Sequence, residues 1–197
     1  MADALGNRGK CAQPCRLPYT LLENSSDYNT KIDEGYLLST KDLCSLEFLP
    51  KLVNSGVACF KIEGRLKSPE YVATVTRIYR KYIDMVIDGK EYIIDENDKK
   101  ELMQVFNRGM FSSGHLPSTP NRGLVYSKKQ NNMGIPLGSI SNYNQNKGYI
   151  TLKLQDTIAI GDSISINCES GSYKVSELLI NDRNSPTASL RYYSKTW

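Results

Sequence analysis

Histidine is almost absent from this chain: His115 is the single one among 197 residues, and Trp197 is the single tryptophan. One histidine excludes zinc sites built on paired imidazoles, and no His-Glu-x-x-His, Gly-x-Ser-x-Gly or Cys-Gly-x-Cys-Trp segment supplies a familiar hydrolase centre. Long apolar runs are missing too. Nothing approaches the ~18 consecutive apolar residues of a membrane-spanning helix, and no apolar stretch follows Met1 as a secretory signal would require. No membrane partner is therefore expected, and the expected setting is the reducing cytoplasm. A strong charge of one sign is also lacking, since the formal net charge is only +4. All of that excess lies late in the chain: residues 1–117 hold sixteen Lys and Arg against sixteen Asp and Glu, and residues 118–197 hold nine against five. Such a skew fits a phosphate-facing surface, and equally an ordinary solvated face. A hydrophobic content of 40% is enough for a packed core.

What is present begins with cysteine. There are five, an odd number, and two of them sit in Asn7-Arg8-Gly9-Lys10-Cys11-Ala12-Gln13-Pro14-Cys15-Arg16-Leu17-Pro18-Tyr19. Pro14 and Pro18 each remove a backbone donor and Gly9 permits positive φ, so this stretch reads as a rigid, basic loop. In a reducing compartment, clustered thiols are more often metal or redox groups than disulfides. The bland alternative is a pair of unpaired thiols buried as small apolar residues.

Residues 23–35 are polar and read as a loop, followed by Tyr36-Leu37-Leu38-Ser39 as a short buried strand. Ser39 and Asp42 have capping-box spacing before Leu43, Leu46, Leu49, Leu52 and Val53, which predicts a helix that Pro50 divides into two short pieces ending at Gly56. Val57 to Phe60 is an apolar strand that turns into charge at Lys61, Glu63 and Arg65. In a parallel α/β architecture the C-terminal ends of strands face the ligand crevice, so these three are the candidate catalytic residues, with a surface ion pair as the alternative.

Ser68-Pro69-Glu70 is a helix start, with an N-cap, a proline in the first turn and an acid at the positive dipole end. The apolar stripe Tyr71, Val72, Val75, Ile78, Tyr79, Tyr82, Ile83, Val86 and Ile87 continues it to Gly89. A shorter helix is predicted over Asn97 to Phe106, ended by Asn107-Arg108-Gly109. Beyond Ser112 the period changes: Pro117, Pro120, Gly123, Gly134 and Pro136 crowd a linker, and strands are predicted over Ile140–Tyr143, Tyr149–Leu154, Ser163–Asn167 and Tyr173–Leu178. Short strands with tight turns indicate a small antiparallel barrel, and Asn181 to Trp197, being polar, reads as lacking its closing strands.

Three ordered motifs, Gly6–Tyr19 (GNRGKCAQPCRLPY), Tyr36–Val57 (YLLSTKDLCSLEFLPKLVNSGV) and Phe60–Asp84 (FKIEGRLKSPEYVATVTRIYRKYID), together resemble the collagenase-like peptidase family U-32. The resemblance implies a fold class of α/β + β: a partial TIM-like (βα) segment over residues 1–116, then a small β-barrel-like domain over 117–197. It further implies truncation at both ends, with the missing N-terminal barrel portion of the same protein as a natural partner. Relatives described as acting in RNA base hydroxylation or quinone hydroxylation hold an iron-sulfur cluster. By position, Cys11 matches a cluster ligand, with Cys15 or Cys44 next, and Cys59 and Cys168 are left as core residues. No cofactor is expected on the segment alone. The expected function is thus part of an RNA-modifying protein, with peptide hydrolysis or plain RNA binding as alternatives. A Cys11–His115 dyad for peptide substrates is available on paper, although nothing in the sequence places the two together. For RNA, the expected phosphate contacts are Lys128, Lys129, Lys147, Lys153 and Lys174.

Overall fold

In the computed structural model, residues 11–24, 29–64, 67–117, 123–166, 171–189 and 193–196 are described. The chain divides into two compact units, residues 1–135 and 136–197. The sequence places the change of period near residue 117. The stretch after it nevertheless joins the first unit through its backbone: Tyr126 N–H donates to Ser39 O, Lys41 N–H to Leu124 O and Met133 N–H to Asn107 O, at 2.9, 2.8 and 2.8 Å.

The first unit opens with a short 3-10 turn, Pro14–Arg16, and an antiparallel hairpin of β1 (Tyr19–Asn24) and β2 (Asn29–Gly35). Residues 23–35, expected as a loop, are therefore largely strand. The polar residues there pair through backbone groups, which need no apolar alternation. Tyr36 to Ser39, expected as a strand, is instead a turn closed by Ser39 N–H to Tyr36 O at 2.9 Å. Next come β3 (Asp42–Leu43), a 3-10 turn at Leu46–Phe48 and helix α1 (Leu49–Asn54). Pro50 falls in the first turn of α1, where its missing N–H costs nothing, so the two short pieces arise at the expected place.

No strand is assigned over Val57 to Phe60, and Val57 and Cys59 are exposed, so the expectation of a core cysteine at position 59 is overturned. The physical reason is that no ladder is formed along this stretch among the described residues, leaving its apolar side chains uncovered. Helix α2 (Pro69–Ile87) follows, its Ser68 side chain accepting Tyr71 N–H, and then α3 (Glu96–Val105) capped by Asp95. The pair β3 and β4 (Phe111–Ser112) is parallel, a pairing that requires a long crossover, and the helices supply it.

Leu46, Leu49, Val75, Ile78, Tyr82 and Leu102 form the buried core of this unit. One carboxylate is buried beside it. Asp98 accepts hydrogen bonds from Tyr82 Oη at 2.7 Å and Lys81 Nζ at 2.6 Å, and the Tyr82 hydroxyl accepts Asp95 N–H at 2.8 Å. Asn107 is 1% exposed and fully used: its amide donates to Met103 O and Gly134 O, and its oxygen accepts Met110 N–H. Gly109 beside it has φ +76°, and a Cβ there would lie 2.1 Å from Tyr126 Cγ.

In the second unit, β5 (Gly138–Asn144) and β6 (Tyr149–Leu154) form a hairpin. After them come β7 (Ile158–Ala159), β8 (Ser163–Ile164), β9 (Tyr173–Lys174), β10 (Leu178–Ile180), β11 (Arg183–Asn184), β12 (Thr187–Ala188) and β13 (Tyr193–Thr196). The main sheet has the order β11-β10-β13-β6-β5, all antiparallel. It is open among the described residues, so the expected closed barrel is not what forms. The stretch expected to lack strands supplies β13, which lies in the middle of the sheet. Polarity misleads there because a ladder is made by the backbone. One side of the unit is sealed by Leu152, Leu154, Ile158, Val175, Leu178 and Ala188. No helix of the described residues is long and apolar enough to cross a membrane.

Burial alone would oppose ionisation of Asp98. The hydrogen bonds from Lys81 and Tyr82 and the charges of Lys81 and Arg77 outweigh it and hold the carboxyl below its ordinary range. A depressed carboxylate pKa stabilises the fold above the unfolded value and loses that contribution as pH falls through the folded one. Asp98→Asn is expected to cost about 1–3 kcal/mol at neutral pH and to flatten the loss of stability in acid, as read by urea unfolding between pH 3 and 7. For Gly109→Ala, strain at positive φ combined with the approach to Tyr126 should lower stability by roughly 2 kcal/mol or more in the same assay.

Candidate functional site

The cysteine loop is tied down by its own backbone. Gln13 adopts φ 53°, its N–H donates to Cys11 Sγ at 3.3 Å, and Arg16 N–H returns to Gln13 O at 2.8 Å. Tyr19 Oη donates to Pro14 O at 2.8 Å. Cys11 and Cys15 stay exposed on this frame. A side chain then anchors the loop to the rest of the unit: Arg16 Nη1 donates to Ser39 Oγ and Thr40 O, both at 2.6 Å, and Nη2 reaches Thr40 Oγ1 at 3.3 Å. Ser39 is completely buried, which makes the anchor point rigid.

Two residues on, Asp42 receives a two-pronged contact from Arg108, Nε to Oδ2 at 3.1 Å and Nη2 to Oδ1 at 2.5 Å, with the side chains 20% and 17% exposed. Lys67 completes the group. Its Nζ sits over the Phe106 ring and 5.5 Å from the Tyr71 ring centre, and the Arg108 guanidinium lies 5.1 Å from the same Phe106 centre. Tyr71 and Phe106 meet edge to face at 6.1 Å.

Three cations and one carboxylate thus share a partly buried field. Burial first, then the Arg108 charge, pushes the Lys67 amine down to about 8, with Asp42 opposing and Arg16 adding to the effect. Arg16 is lowered by burial and by Arg108. Lys67, Arg108 and Asp42 carried no motif that singled them out as site residues. The available signals were weak: a cation just before the Ser68 cap, and one in the Asn-Arg-Gly stop of α3.

The other residues singled out by sequence are dispersed. Cys44 is packed against the first core, and burial pushes its thiol up; Tyr79 Oη faces its sulfur at 4.0 Å and accepts Ser45 N–H at 3.0 Å. Burial pushes Tyr79 up to about 12. Cys11, Cys15 and Cys44 do not form a metal-holding group, and no cluster of three or more His, Cys, Asp or Glu does so among the described residues. Lys61 Nζ and Glu63 Oε2 are 3.9 Å apart with side chains 87% and 67% exposed, the geometry of a surface ion pair. Arg65 and Cys168 lie outside the described residues. His115 is exposed in a turn. Lys128 is exposed and Lys129 partly buried in the first unit; Lys147, Lys153 and Lys174 are exposed on the second. Lys147 borders a depression of about 450 Å³ with Asn142, Asn144, Tyr149, Thr151 and Asp182.

Thiol labelling follows from this placement. An alkylating reagent is expected to modify Cys11, Cys15 and Cys59 in the folded chain and to reach Cys44 only on unfolding, as read by peptide mass mapping. Labelling of Cys44 at the same rate would contradict its burial.

Comparison with known proteins gives these features a context. The chain is 36% identical over 81% of its length to an uncharacterized protease, MJ0090, of Methanocaldococcus jannaschii, covering 40% of that protein. To a collagenase of Porphyromonas gingivalis it is 42% identical over 58% of its length, covering 28% of that protein. It is also 31% identical over 80% of its length to the tRNA hydroxylation protein P1 of Bacillus subtilis, covering 39% of that protein. The chain therefore spans less than half the length of each of these relatives. No solved structure matches it. The model of peptidase family U32 matches residues 1–125, the region that carries the cysteine loop and the cationic group, and the chain belongs to that family.

Proposed function

We propose that this chain is part of an RNA-modifying member of the family, acting in hydroxylation of a base, and that Cys11 and Cys15 serve as thiolate ligands of an iron-sulfur cluster in the whole protein. The observation that carries the reading is the N–H from Gln13 to Cys11 Sγ in a loop that leaves both sulfurs exposed, with Arg16 beside Cys15. Both sulfurs are open to an incoming metal, which cysteine ligands bind as thiolates. Cys44 does not fit the same role, because burial raises its pKa and its neighbours are the Leu46, Leu49 and Ile78 core. The remaining ligands would come from elsewhere in the whole protein. Such a cluster supplies one-electron chemistry when bound.

In this reading the residues of the chain hold and orient. Arg16 fixes the thiol loop against Ser39 and Thr40, and the Arg108–Asp42 pair joins β3 to the approach of β4. The parallel β3/β4 pair with a helical crossover supports reading the first unit as part of a TIM-like domain. Exposed Lys147, Lys153 and Lys174 on the second unit would meet RNA phosphate, a sequence-independent contact that weakens with salt.

A peptidase is the second reading, favoured by the identity to the collagenase relative. The two separate in one experiment. The whole protein, expressed in a strain lacking base-hydroxylating activity, is expected to add one oxygen atom to an RNA nucleoside, detected by nucleoside mass spectrometry, and Cys11→Ala is expected to abolish the product. Cleavage of a collagen peptide that survives Cys11→Ala, with unmodified RNA, would establish the peptidase reading instead.

A further inference from the structure

We propose that Arg16, Lys67 and Arg108 form a seat for a phosphate group, and that the group it takes is a backbone phosphate of the RNA, placed beside the cysteine loop. The RNA part of this inference rests on the hydroxylation reading; the phosphate seat does not.

Three cations meet the Asp42 carboxylate here in a partly buried place, with Cys15 acting on Arg16 and Glu63 on Tyr71 at the edges of the group. Asp42 occupies one edge of the Arg108 fork, Nε and Nη2, and among the described residues nothing takes Nη1. Arg16 spends Nη1 on Ser39 and Thr40, and among the described residues nothing takes its Nε. Lys67 Nζ has ring faces for neighbours and no hydrogen-bond acceptor among the described residues. Donors on three separate stretches of chain are thus left over in one field, and a tetrahedral oxyanion has oxygens for all of them. Among the described residues the charges acting on Lys67 are Arg108 and Arg16 against Asp42, so beyond the effect of burial its amine bears a net repulsion there. An anion entering the group removes that repulsion, which is a differential gain that an ordinary surface lysine does not offer. A purely structural role, with the Lys67 ammonium resting on the Phe106 ring, would use the charge but would not need the left-over donors.

The test uses the 197-residue chain with inorganic phosphate and with a short single-stranded oligoribonucleotide. Calorimetric titration should show phosphate binding in the millimolar range, and phosphate should slow acylation of Lys67, read by peptide mass mapping at pH 8. Lys67→Gln is expected to weaken phosphate binding roughly tenfold, while Lys67→Arg, which keeps the charge, should retain it. Unfolding midpoints of both variants report whether the fold is intact. Equal binding by Lys67→Gln, or no phosphate protection of Lys67 in the folded wild type, overturns the seat. Competition between the oligoribonucleotide and phosphate supports the RNA backbone as its occupant, and phosphate binding that RNA leaves unchanged overturns that assignment. If phosphate binds as expected but no hydroxylated nucleoside is ever formed, the hydroxylation reading fails and the seat stands.

Discussion

The contact between Arg108 and Asp42 is the constraint from which the arrangement of the first unit follows. It is a partly buried ion pair with both prongs of the guanidinium engaged, joining the strand before the helices to the segment after them. Such pairs contribute less to net stability than to geometry, because desolvation offsets much of the attraction. Here the geometry is what matters. With Asp42 held, Thr40 and Ser39 are positioned to receive Arg16, and Arg16 in turn places the cysteine loop. Removing the carboxylate would leave three cations facing one another.

Around this pair, polar groups are buried only where they are fully used. Asp98 takes Lys81 and Tyr82, the Asn107 side chain takes three backbone partners while its N–H donates to Asn132 Oδ1, and Ser39 takes Arg16. The second unit is built differently. Its ladder holds together strands that expose polar residues together with Ile140, Tyr143 and Tyr173, above a modest apolar core. At the bulge in β5, Ser141 Oγ donates to Thr151 O at 3.1 Å.

Membership of family U32 brings relatives with unlike names, a protease and a collagenase on one side and a tRNA hydroxylation protein on the other. The RNA-modifying reading we propose rests on the exposed thiol pair, with its amide donation to the Cys11 sulfur, and on the cationic group of Arg16, Lys67 and Arg108. Charge and exposure separate the thiols by role: Cys11 and Cys15 face outward, and Cys44 behaves as a small apolar core residue.

Much of the helical part was legible in the sequence. The Ser68 cap, the stripe from Tyr71 to Ile87 and the stop at Gly89 are local signals, and α2 follows them almost residue for residue. The division of the earlier helix around Pro50 is local too, as is the basic, turn-rich character of the cysteine loop. Where the outcome depended on a partner strand, sequence pattern failed: the polar hairpin β1–β2, the central β13 and the unpaired stretch at Val57 are decided by which backbones meet. The cationic group is the extreme case. Arg16, Asp42, Lys67 and Arg108 are spread over ninety-two positions of the chain, and none lies in a recognisable pattern with another. Local propensity acts within a few residues, so the sequence by itself determined the helices and the turn-rich thiol loop. Only the tertiary structure decided which charges share a field, because Coulombic coupling depends on distance in space and on burial, neither of which is written in spacing along the chain.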